Sequence, residues 1–376
     1  MAPVVLDLRE TDDSRDVVHR AVQALAEGNV VAFPTETVYA LAASALCDDA
    51  VGRLMDILPS SATAAATPAA LAIKSADEAL DYVPNLCSLG QRLARRCWPG
   101  PVTLLVEDHH PESVIKQLAP GVQQAIAPQG IVGLRVPAHR ALQDVLRLLA
   151  GPVVLLDAHC SGDVDAVTAR EVIETWDRQV QFVIDGGRCR FGQTSSVVRV
   201  ENAGFEVVRQ GVVSPQTIKR LASMIILFVC TGNTCRSPMA EGMFRQLVAQ
   251  KLGCRPDEVE DRGVIVMSAG IAAMMGGRPS AESVAVMNEM GIDISAHESQ
   301  PLTEQLARHA DLMITMTRSH RQAILAEWPE AADRVFPLCE GGQDIADPVG
   351  GPTELYRRCA EKISAELEHW LNKLPH

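Results

Sequence analysis

An unbroken apolar run, IILFVC (225–230), passes directly into TGNTCRS and then into PMAEGMFRQLVAQKLG. A strand with no polar side must be buried on both faces. Here it is followed at once by a helix, with Pro238 in the first turn and Gly253 at the end. Further short runs, VIVMSAG, DLMITMT and RVFPL, alternate with the helical stretches SAESVAVMNEMG, TEQLARHA, RSHRQAILAEW and TELYRRCAEKISAELEHWLNKL. Such alternation predicts a doubly wound parallel sheet, helices on both faces, over residues 224–376.

The 376 residues exceed one ordinary core, so a second domain is expected over residues 1–222. GNVVAFPT, IVGLRVP, GPVVLLD, VQFVID and SSVVRV read as strands, and SRDVVHRAVQALAEG as a helix stopped by Gly28. The small-residue segment PSSATAAATPAALA (59–72) reads as a loop. The join GVVSPQTIKRLASM lacks a flexible spacer, and no fixed-period repeat is present. The net charge of −13 argues against broad affinity for nucleic acid. No apolar run approaches the ~18 residues of a membrane span, and the start MAPVVLDLRETDD lacks a signal pattern. A cytoplasmic protein with no membrane partner is expected. Its ten irregularly spaced cysteines then read as thiols. The adjacent His159 and Cys160 do not by themselves make a zinc site, and no metal is expected.

The loop after IILFVC carries chemistry. Cys230 and Arg236 flank five residues between a strand and a helix. Backbone N–H groups of residues 231–236 can curl around an anion, and the helix adds its positive end. Gly232 and Asn233 are the residues expected to take the left-handed backbone of that curl. Arg236 offers a fork for two phosphoryl oxygens. The same field favours Cys230 as thiolate, and Ser237 can donate to it. A leaving group needs a proton, and GGQDIADPVGG offers Asp344 and Asp347, the latter being the choice for general acid.

With these residues in place, 224–376 resembles the low-molecular-weight protein phosphatases. The resemblance rests on CTGNTCRSPMAE, Ser268 in SAG, His297 in AHESQPLT and the Asp347-Pro pair. It implies attack by Cys230, a cysteinyl-phosphate intermediate, protonation by Asp347 and hydrolysis by water, with no cofactor. Thr231, Gly232, Asn233, Thr234, Cys235, Ser237, Ser268 and His297 would bind phosphate or support the loop. Cys235 matches a cysteine that in relatives closes a disulfide with the nucleophile.

The substrate would be a phosphoprotein. Thr234 stands where tyrosine-directed members carry a bulky aliphatic residue, and it resembles the arginine-directed branch. Val349 and Gly350 follow Asp347-Pro348, so the aromatic wall of the tyrosine-directed members is missing. Phosphoarginine is the first expectation and phosphotyrosine the second. Arsenate reductases of this fold need a relay cysteine near Thr317, where this chain has none.

In the first half, FPTETVYAL, CWPGPVTLLV, LRVPAH, FVIDGGRCRFG and VVRQG together resemble the YrdC-like threonylcarbamoyl-adenylate synthases. That implies a twisted α/β sheet with a concave cavity and condensation of threonine, bicarbonate and ATP for a tRNA modification. Thr35, Thr37, Tyr39, Arg135, His139, Ser161, Ser195 and Arg209 fit its ligand-binding positions. The family's cationic Lys-x-Arg-Pro stretch is absent, its Ser-Ala-Asn-x-Ser-Gly is DAHCSGD, and its Glu-Ser-Thr-Val-Val-Asp is TSSVVR. A triphosphate without cations to neutralise it binds at a cost. An acidic Asp157 would repel it further. The expectation is a retained fold with impaired or lost synthase chemistry, a module for a nucleotide or RNA. An active synthase with an accessory phosphatase is the alternative.

Overall fold

The computed structural model describes residues 2–11, 13–57, 69–160, 164–202 and 204–374. The chain divides into two compact units, Met1–Leu221 and Ala222–His376.

The first unit is built on a ten-stranded mixed sheet. Its strands are β1 (Val4–Asp7), β2 (Val31–Phe33), β3 (Ala40–Ser44), β4 (Ala70–Ala72), β5 (Val102–Glu107), β6 (Ile131–Arg135) and β7 (Val153–Asp157). After a small hairpin of β8 (His159–Cys160) and β9 (Val164–Asp165) come β10 (Phe182–Asp185), β11 (Ser196–Glu201) and β12 (Gly204–Arg209). The order is β1-β10-β2-β3-β7-β4-β6-β5-β11-β12. Helix Ser14–Ala26 buries Val17, Val18 and Leu25, and ends before Gly28 at φ +81°. That face packs against Val31, Phe33, Leu142 and Leu146 in one core.

The expected loop over 59–72 needs correction at its end. Ala70–Ala72 is a strand in the middle of the sheet, parallel to β6 and antiparallel to β7. Low bulk suits it for close packing: a side chain at Gly133 would lie 3.5 Å from the Cα of Ala70. The rest of that segment, to residue 68, lies outside the described residues, as does Ser161.

The second unit holds a four-stranded, all-parallel sheet of β13 (Met224–Cys230), β14 (Val264–Gly270), β15 (Leu312–Thr315) and β16 (Val335–Pro337). The order β14-β13-β15-β16 puts the first strand in the interior, so the chain winds one way and then the other. Alternation along β13 feeds two cores. Ile226, Phe228 and Cys230 pack with Phe244, Met287 and Ile363 from helices Arg236–Leu252, Ala281–Glu289 and Thr353–Lys373. Leu227 and Val229 pack on the other face with Ala307 and Ile324. Phe228 and Phe244 meet edge to face at 5.4 Å, and burying each ring contributes about 2–3 kcal/mol. This fixes the helix directly behind the strand that leads to the loop. Among the described residues no helix is long and apolar enough to cross a membrane.

Candidate functional site

Cys230 is the last residue of β13, at the carboxyl ends of the strands and beside the point where the winding reverses. Open parallel sheets bind ligands there. The chain must turn sharply between Cys230 and helix Arg236–Leu252, and it does so at Asn233, φ +55°. Only Asn233 is left-handed; Gly232 is not, which corrects the expectation that both would be. Asparagine tolerates this conformation because its amide can bond locally. The room comes from the neighbouring strand. A side chain on Gly270 would lie 2.5 Å from the Thr231 carbonyl and 3.0 Å from the Asn233 nitrogen.

Buried hydrogen bonds hold the Asn233 side chain on both ends. Its Oδ1 accepts from the backbone of Gln300 at 2.9 Å. Its Nδ2 donates to Ser268 Oγ at 2.8 Å and to Ser237 Oγ at 2.9 Å. Ser268 in turn donates to Glu241 Oε2 at 2.6 Å. Glu241 is also paired with Arg245 and lies 3.7 Å from His297 Nδ1. His297 Nε2 donates to the Asn233 carbonyl at 3.0 Å. Donor counting sets the direction of the remaining bonds. Ser237 already accepts from Asn233, so its own proton is left for Cys230 Sγ at 3.0 Å or the Ala269 carbonyl at 3.5 Å. The sulfur is nearer. The Asn233 backbone N–H also reaches Cys230 Sγ, at 3.2 Å. Two donors thus converge on one buried sulfur.

The arginine of the loop is equally fixed. Arg236 is buried, donates to the Ile345 carbonyl at 3.1 Å and to Thr231 Oγ1 at 3.4 Å, and pairs with Asp347. The Thr231 hydroxyl also meets His320 Nε2, 3.0 Å away. His320 is buried, and that burial, followed by the Arg236 charge, pushes its pKa down to about 4. Asp344 is engaged elsewhere, accepting from the backbone of Arg318 at 2.9 Å. Thr234 is half-buried with its hydroxyl 3.7 Å from Cys235 Sγ, and the Cys235 sulfur lies 3.6 Å from Ser280 Oγ and 3.9 Å from the Tyr356 hydroxyl.

The structure thus brings together Cys230, Thr231, Asn233, Arg236, Ser237, Ser268, His297 and Asp347. Glu241, Gln300 and His320 escaped the sequence reading. Glu241 sits five residues past Arg236 and so was visible as a carboxylate on the same helix, but the other two arrive from distant segments.

In the first unit, Arg135 donates to Glu36 at 2.8 Å and to Thr37 Oγ1 at 2.9 Å, and Thr37 meets Thr35 at 2.7 Å. Arg209 pairs with Asp157 at 2.8 Å and donates to Ser195 Oγ at 3.2 Å. Asp157 lies 3.7 Å from Arg135, joining both groups. Tyr39 stands apart, its hydroxyl donating to the Gly187 carbonyl at 3.1 Å, and burial pushes its pKa up. His139 faces Gly186, and burial lowers its pKa against the opposing charge of Glu36. Among the described residues no group of three or more His, Cys, Asp or Glu is placed to hold a metal.

Comparison with known proteins divides the chain along the same lines. Residues 225–376 match the family model described as low molecular weight phosphotyrosine protein phosphatase. Residues 23–211 match the Sua5/YciO/YrdC model, described as telomere recombination. A protein-arginine-phosphatase of Bacillus subtilis is 39% identical over 155 residues, 40% of this chain and 94% of the relative. A probable low molecular weight protein-tyrosine-phosphatase of Ralstonia nicotianae is 37% identical over 150 residues, 40% and 94% of the two chains. A threonylcarbamoyl-AMP synthase of Bos taurus is 32% identical over 205 residues, 52% of this chain and 68% of the relative.

Proposed function

Since the chain belongs to the low molecular weight phosphotyrosine protein phosphatase family through residues 225–376 and to the Sua5/YciO/YrdC family through residues 23–211, we propose that it is a cysteine-dependent phosphatase of phosphoproteins fused to a binding module. The observation that carries this reading is the polarity of the Asn233 network, which ends on Cys230 Sγ with two donors. Two donors aimed at that sulfur would stabilise the negative charge of an attacking thiolate.

In the proposed reaction a phosphoryl group enters the curl of residues 231–236. Arg236 exchanges its Asp347 partner for two phosphoryl oxygens. Cys230 Sγ attacks phosphorus, and the bond from phosphorus to the leaving oxygen or nitrogen breaks. Asp347, freed from Arg236 beside the dianion, takes up a proton from solvent and gives it to the leaving atom. Water then attacks phosphorus as the sulfur–phosphorus bond breaks, one proton of that water passes to Asp347, and inorganic phosphate and the thiolate are freed. The step needs no cofactor. The setting proposed is the cytoplasm, where the ten free thiols stay reduced.

We place phosphoarginine ahead of phosphotyrosine. Thr234 offers a small polar wall at the loop, and the Bacillus subtilis relative carries an arginine-phosphatase name. The test is turnover of phosphoarginine and phosphotyrosine peptides by the full chain and by Cys230→Ser. Activity that survives this substitution, or no turnover of either peptide, would sink the proposal. In the first unit, the reading is a binding module for a nucleotide or RNA in which synthase chemistry is lost. Pyrophosphate release dependent on ATP, threonine and bicarbonate would instead favour the synthase alternative.

A further inference from the structure

We propose that His320 is a positioning residue of the second unit's site, acting through the Thr231 hydroxyl on the guanidinium of Arg236. This rests on the phosphatase reading and goes beyond it. His320 belongs to helix Arg318–Glu327 and is 4% exposed. Its backbone N–H donates to the capping hydroxyl of Thr317 at 3.2 Å, so the ring is carried on a fixed first turn. Nε2 meets Thr231 Oγ1 at 3.0 Å, while Nδ1 is buried with no hydrogen-bond partner among the described residues. Burying an imidazole with one nitrogen unserved costs free energy that a leucine in the same place would not. Packing therefore does not account for a histidine here, whereas its contact with the loop does. Burial and the Arg236 charge keep the ring neutral at neutral pH, against the carboxylates of Asp347 and Asp344, so it sets no second cation beside the fork.

What the contact fixes is a rotamer. The Thr231 backbone is already pinned, its carbonyl accepting from the Ala272 N–H at 3.0 Å. Its side chain is exposed and, left to itself, can turn to water about χ1. Bonded to His320, the hydroxyl oxygen stays beside Arg236 Nη2, 3.4 Å away. Whichever of the two groups supplies the proton, the rotamer is the same. Arg236 has three polar partners among the described residues: the Ile345 carbonyl on Nη1, and Asp347 and Thr231 on Nη2. Ile345 and Asp347 lie on one glycine-flanked loop, so both of those contacts depend on where that loop sits. Thr231, directly after β13, is the contact that does not. It keeps the fork in plane while the carboxylate is exchanged for phosphoryl oxygens.

The test is a double-mutant cycle in the full chain: Thr231→Val, His320→Leu and the two together. It is read as kcat/KM on phosphopeptides and as Kd for orthovanadate by calorimetric titration. Each single change should lower kcat/KM about 10-fold and weaken orthovanadate by a similar factor. The double variant should lose no more than about 3-fold beyond either single one, where independent roles would multiply to about 100-fold. His320→Gln, whose carboxamide reaches the place of Nε2, should recover most of the loss. His320→Leu should melt at least as high as His320→Gln and still be the slower enzyme, an order that a role in packing alone would not produce. Additive losses, or a Thr231→Val chain as active as wild type, overturn the proposal. Should His320→Leu fail to fold, His320→Gln takes its place: added to Thr231→Val it must cost nothing further, and an added loss overturns the proposal. A wild type that turns over neither phosphoarginine nor phosphotyrosine peptides overturns the phosphatase reading; the orthovanadate cycle then decides the positioning role by itself, and a chain that binds no orthovanadate overturns both.

Discussion

Each unit of this chain sets an aspartate against a buried arginine. In the second, Asp347 leans on Arg236 from a loop bracketed by Gly342 and Gly350 and is 39% exposed. In the first, Asp157 ends a central strand, is 14% exposed and is shared by two arginines. A carboxylate on a loop can be exchanged for an incoming anion at the expense of one solvated ion pair. One built into a sheet cannot be exchanged without unpairing buried charges, which costs several kcal/mol. The same pair of residue types can therefore make an exchangeable contact or a fixed one, and the backbone beneath the carboxylate decides which.

Substitutions at the two pairs should separate these roles. The largest effect is expected for Arg236→Ala, which leaves the phosphoryl oxygens without their fork. Turnover should fall by about 10³-fold or more, measured as kcat/KM on phosphopeptides. Arg135→Met breaks a buried pair and should cost about 3–5 kcal/mol in urea unfolding of the first unit while leaving phosphatase turnover unchanged. Equal stability of this variant and wild type would erase the contrast. Asp347→Asn should lose about 10²-fold in kcat, more on poor leaving groups, yet change stability by less than about 1 kcal/mol. A variant that unfolds instead would make Asp347 a structural residue.

The last effect concerns His320. Its folded pKa of about 4 lies below its ordinary 6.5, so the unfolded chain takes up this proton first as pH falls. Its contribution is complete above pH 6.5 and is lost as pH drops from 6.5 towards 4, at up to about 1.4 kcal/mol per pH unit. His320→Leu should flatten that limb in urea midpoints recorded against pH.

Local pattern made much of this legible in advance. The apolar run, the loop and the helix from Pro238 to Gly253 lie within one stretch, and their order alone requires a parallel sheet with Cys230 at its carboxyl edge. What stayed hidden depends on packing across the chain. Gln300 and His320 reach the loop from segments 67 and 89 residues away in sequence, and nothing in their own neighbourhoods marks them. Gly232 was expected to share the left-handed backbone with Asn233, yet only Asn233 takes it, with its side chain held by three partners. Ala70–Ala72 lacked the bulk that marks a strand because its two neighbours supply it. Asp157 was readable as an unwelcome charge. That two arginines already satisfy it was not, since they arrive from β6 and β12.

Gly270 has a consequence for how such a centre can be moved or redesigned. The curl around Cys230 fits into a notch cut in the adjoining strand, where even a methyl group would collide with the turn. The shape of the cradle is therefore inherited from its neighbour and not encoded in the eight residues that compose it. Transplanted alone onto another strand–helix junction, those residues would lack the hollow that bends them, and the sulfur would have nothing to face.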